Sequence, residues 1–98
     1  MPFTTEPRQD RLIEGLFLTL QTDLDLAFYH LRLAEAEARG GKAAHAWELI
    51  AKAAIAHKTV TQALAGISDF YENKRELAQE ARRLLESVQS VERQFRVL

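Results

Sequence analysis

Residues 13–41 read IEGLFLTLQTDLDLAFYHLRLAEAEARGG. Ile13, Phe17, Leu20, Leu24, Ala27, Leu31, Ala34 and Ala38 alternate at spacings of four and three without a miss. A mean period of about 3.5 residues keeps these side chains on one face of a helix and favours gently tilted, coiled-coil-like packing. The stripe stops at Gly40-Gly41, which suit the positive φ that closes many helices. A long amphipathic helix followed by a tight reversal is therefore the first element.

Upstream, Thr5 is placed to cap this helix, with Pro7 in the first turn, where its missing N–H costs nothing. Glu6 and Asp10 complement the positive end of the helix dipole. Gly15 lies inside the pattern and weakens the helix without ending it.

Downstream, residues 42–65 carry two apolar seams at once. One is Ala43, Trp47, Ile50, Ala54, His57, Thr61 and Leu64; the other is Ala46, Leu49, Ala53, Ala56, Val60, Ala63 and Ile67. A helix apolar on two sides contacts two neighbours, so this Ala-rich segment is expected at the centre of a bundle. Folding back at the glycines sets Trp47 opposite Ala34, Ile50 opposite Leu31 and Ala54 opposite Ala27, with Trp47 as a core anchor. Gly66 is expected to end this helix as Gly40-Gly41 end the first. Asp69 followed by Glu72 resembles a capping box and opens a third helix, whose seam runs Phe70, Lys74, Leu77, Ala81, Leu84, Val88, Val91, Phe95 and Leu98. The sequence thus predicts an all-α, three-helix antiparallel bundle over a single domain of 98 residues, with helices over about 6–39, 42–65 and 69–96.

These lengths do not match. Residues before Ile13 are expected to overhang the second helix at one end, and Phe95 and Leu98 at the other. Helix one also bears a second, heptad-spaced set, Leu12, Thr19, Leu26 and Leu33, which the same neighbour cannot cover. Tyr71, Ala78 and Leu85 repeat this more weakly on helix three. Such surplus apolar surface predicts an interaction surface. Leu12, Leu26, Leu33, Phe95 and Leu98 are its expected residues. A homodimer is its first expected use, and a partner protein helix lying in an apolar groove its second.

Composition narrows the chemistry. Apolar residues make up 47%, charged residues 28%, and the net charge is -1. The chain has no cysteine, which excludes a disulfide framework, a thiolate zinc site, an iron–sulfur cluster and a cysteine nucleophile. With no basic-then-apolar start and no run near the ~20 apolar residues a membrane span needs, the expectation is a cytoplasmic protein that does not engage membranes. Helix three carries six basic residues among six acidic ones. It lacks the one-sign patch of a nucleic-acid binder, so no nucleic-acid partner is expected.

Catalytic signals are sparse. His45 and Glu48 stand three residues apart, but no Glu-x-x-His or His-Glu-x-x-His pattern accompanies them, so no metal and no cofactor are expected. His57 is read as a half-buried residue bonded to Thr61 or to a carbonyl, and His30 as a neighbour of Asp23 beside the second stripe. Arg39 and His45, with five residues between them, resemble the Arg-x(4–6)-His spacing of the HEPN helical ribonuclease domains, although Gly40-Gly41 departs from the helical context of that motif. The resemblance implies a nuclease-like enzyme; the alternative expectation is that enzyme or a helical-bundle ligand binder, with a site near His45 and His57. The favoured expectation is a non-enzymatic interaction or scaffold module that self-associates through apolar helix faces.

Overall fold

The computed structural model describes residues 7–96, with side chains from residue 11 onward. Three helices, α1 (Pro7–Arg39), α2 (Ala43–Ala65) and α3 (Glu72–Arg96), follow one another, and each packs against both others. They form the three-helix bundle the periodicity predicts. Helix α2 runs antiparallel to α1 and α3. Thr5, Glu6 and Leu98 lie outside the described residues.

The first seam is the core of α1: Phe17, Leu20, Leu24, Ala27, Leu31 and Ala34 are buried, with Ile13 and Ala38 packed against them. Leu77, Ala81, Leu84, Val88 and Val91 supply the α3 side. On α2 the two seams are unequal. Ala46, Leu49, Ala53 and Val60 point inward with Ile67 beyond the helix end, while the other seam contributes only Ile50 and Leu64. Ala54 and Thr61 on that seam are exposed.

Trp47, expected as a core anchor, is 39% exposed. The reason is the alanines. Ala27 and Ala34 on α1 and Ala46 and Ala53 on α2 are all 1% exposed or less. Small residues at these positions bring the two backbones close, which leaves no room for an indole between them. Trp47 sits instead on the rim.

Helix α1 is continuous through Gly15. It ends in a Schellman motif. Gly41 adopts φ 83°, the Gly41 N–H reaches the Ala38 carbonyl at 3.1 Å, and the Lys42 N–H reaches the Glu37 carbonyl at 2.8 Å. The second helix ends differently. Gly66 keeps φ -86°, so the expected left-handed cap does not form there.

The start of α3 also differs from expectation. The capping box at Asp69 is absent and the helix begins at Glu72. Residues 68–71 form a turn in which Ser68 Oγ accepts from the Phe70 N–H at 3.2 Å and the Tyr71 N–H reaches the Ser68 carbonyl at 3.3 Å. Asp69 is drawn off by Lys74, whose Nζ donates to Asp69 Oδ1 at 2.6 Å and to the Ile67 carbonyl at 2.7 Å. Phe70, expected on the α3 seam, falls in this turn and is 89% exposed.

The longer connection slides α3 along α2. Phe95 therefore does not overhang. It is half-buried against the core and stands edge-on to Trp47, with ring centroids 5.7 Å apart.

Candidate interaction surface

Helices α1 and α2 meet with their alanine-rich seams inward. Their outer flanks leave a shallow groove lined by Asp23, Leu26 and His30 from α1 and by Lys52, Ile55 and Thr59 from α2. Leu26 is 50% exposed and Ile55 64% exposed. Leu12, 69% exposed, lies four helical turns before Leu26 on the same flank. Leu33 is half-buried and packs against the core.

The sequence-derived surface thus divides. Leu12 and Leu26 are exposed, Leu33 and Phe95 are largely covered within the chain, and Leu98 lies outside the described residues. Ile55 is an addition that the seam pattern passed over. It belongs to neither seam of α2, and a β-branched apolar residue standing off both seams was the available signal.

The groove between α1 and α3 has another character. Leu18 is exposed there, but Glu14, Glu76 and Glu80 surround it. Two of its polar groups are joined inside the chain: Gln21 Nε2 donates to Glu80 Oε2 at 2.8 Å, and also to Asp25 Oδ1 at 3.0 Å.

The candidate chemical residues do not converge. His45 Nδ1 lies 3.6 Å from Glu37 Oε2, which also faces Lys42 Nζ at 3.8 Å. Glu37 thereby places negative charge beside the start of α2, which has neither a side-chain cap nor an acidic residue in its first turn. His57 Nε2 is 3.4 Å from Thr61 Oγ1, the pairing expected for it, and sits in the α2–α3 groove beside Ala78, Arg82 and Leu85. His30 lies against Tyr29, with ring centroids 6.2 Å apart. Arg39 and His45 are both exposed. Among the described residues no group of three His, Cys, Asp or Glu side chains could hold a metal ion, and no helix is long and apolar enough to cross a membrane.

No protein-family model, curated protein or solved structure matches the chain.

Proposed function

We propose that this chain is a non-enzymatic helical interaction module that self-associates as a homodimer through the outer face of α1 and α2. The observation that carries this reading is the pairing of Leu26 and Ile55, half or more exposed, across one groove. Leu12 extends the apolar flank. Burial of apolar surface contributes about 25 cal/mol per Å², so covering two adjacent branched side chains gives a real driving force for association. A cysteine-free chain of balanced charge suits a reducing compartment such as the cytoplasm.

The test is sedimentation equilibrium over a concentration series, with circular dichroism as the folding control. The wild type is expected to dimerise by tens of micromolar. Leu26→Asp and Ile55→Asp are expected to be monomeric with unchanged helicity. Leu33→Asp is expected to lose helicity, because Leu33 packs against the core. A wild type that stays monomeric throughout would overturn the reading.

A further inference from the structure

We infer that the second copy lies across the Leu26–Ile55 groove about a two-fold axis that lies in the interface and crosses the groove obliquely, so that Asp23 of each chain pairs with the partner's Lys52. This inference rests on the self-association proposed above and adds its orientation and register.

The ends of the groove differ in charge. Asp23 and His30 are seven residues apart on α1, and Lys52 and Thr59 are seven apart on α2; each pair spans about 10 Å along its helix. The two helices are antiparallel, so Asp23 shares one end of the groove with Thr59, and His30 shares the other with Lys52. One end is acidic and the other basic. Leu26 and Ile55 lie midway between them.

A two-fold interface applies a patch to itself. Asp23 and Lys52 stand at diagonally opposite corners of the groove, so an axis in the interface, through the groove's middle and oblique to it, brings the leucine–isoleucine centre onto itself and exchanges those two corners. Asp23 then faces the partner's Lys52, and Lys52 faces the partner's Asp23. An axis straight across the groove would set Asp23 against the partner's His30, and one along the groove would set it against the partner's Thr59; each leaves Lys52 facing no acidic side chain. Charge complementarity therefore selects the oblique arrangement.

Both groups are available for it. Neither Asp23 nor Lys52 has an ion pair or side-chain hydrogen bond within the chain among the described residues. Asp23 is half-buried at the groove wall, where an unpaired carboxylate is least favourable. A pair at the rim adds little affinity but fixes register and excludes wrong partners.

The experiment is a charge exchange read by sedimentation. Asp23→Lys and Lys52→Glu are each expected to weaken the homodimer at least tenfold, because each brings two like-charge contacts together. An equimolar mixture of the two single variants is expected to form a heterodimer of wild-type affinity, since both cross-pairs are then opposite in sign. The double variant Asp23→Lys/Lys52→Glu is expected to homodimerise as the wild type does. Circular dichroism checks that each remains helical. Single variants that dimerise with wild-type affinity while Leu26→Asp remains monomeric would overturn the register and leave the proposed face standing. Weakened single variants whose mixture does not recover would also overturn it. A monomeric wild type would remove the face and the register together.

Discussion

Phe95 stands edge-on to Trp47, with ring centroids 5.7 Å apart and planes at 89°. This contact joins the last turns of α3 to the beginning of α2 and fixes how far the third helix has slid along the second. The groove beside His57 shows the same register lower down, since His57, Thr61 and Leu64 share it with Leu85, Ala81 and Ala78. Aromatic edge-to-face pairs contribute about 0.5–1.5 kcal/mol beyond the area they bury. Phe95→Ala is therefore expected to destabilise the fold by about 2–3 kcal/mol. The emission of Trp47 should move to longer wavelength as its ring gains water. Denaturant unfolding followed by Trp47 fluorescence checks both, and an unchanged emission maximum would separate Trp47 from Phe95.

Lys74 explains the single polar member of the α3 seam. Its ammonium satisfies the carbonyl of Ile67 at the end of the connection while its stem lies along the bundle. Lys74→Met keeps the stem and removes the charge. It is expected to cost about 1–2 kcal/mol through the unpaired carbonyl and the lost charge-assisted bond. The loss should be visible in the midpoint of a urea titration, with an unchanged slope.

The same ammonium sets a pH dependence. Its hydrogen bond to Asp69, and then its charge, hold the Asp69 carboxyl below the ordinary value of 3.8. A carboxyl whose folded pKa is depressed stabilises the fold above the unfolded pKa, and that contribution is lost as pH falls through the folded one. Asp69→Asn is thus expected to be slightly less stable than the wild type near neutral pH. The difference should close below about pH 4. The effect is small because the Asp69 side chain is 96% exposed. Thermal melts of both proteins across the acid range check the direction.

The long-range outline of this molecule was legible because it rests on period. Every position of the α1 seam from Phe17 to Ala34 is buried, as the alternation of four and three requires. The sequence reading failed where local partners compete. Asp69 can cap a helix or pair with Lys74, and the ammonium seven residues beyond Ile67 decides between them. Three residues were thereby moved from helix to turn, and the end of α3 was drawn back beside Trp47. Helix rotation was equally hidden on α2, since two seams of similar hydrophobicity leave the choice to the alanines of α1. The proposed interaction surface was half legible for the same reason. Leu26 stands out by its heptad spacing, whereas Ile55 gains meaning only once α2 has been rolled to place it across the groove.

Two glycines of α1 and its turn give opposite expectations from the same substitution. A Cβ at Gly15 would meet nothing within 4 Å, and its backbone is helical, so alanine there adds no contact and removes freedom from the unfolded chain. Gly15→Ala is expected to stabilise the fold by about 0.5–1 kcal/mol, or roughly 5 °C in melting temperature for a domain of this size. Gly41 is just as open to space, but its φ of 83° sets Cβ against its own backbone. Gly41→Ala is expected to cost about 1–2 kcal/mol. Melts of both variants at one protein concentration, which keeps any coupling to association equal, should move in opposite directions. A stabilised Gly41→Ala would mean that the chain reverses without the Schellman turn.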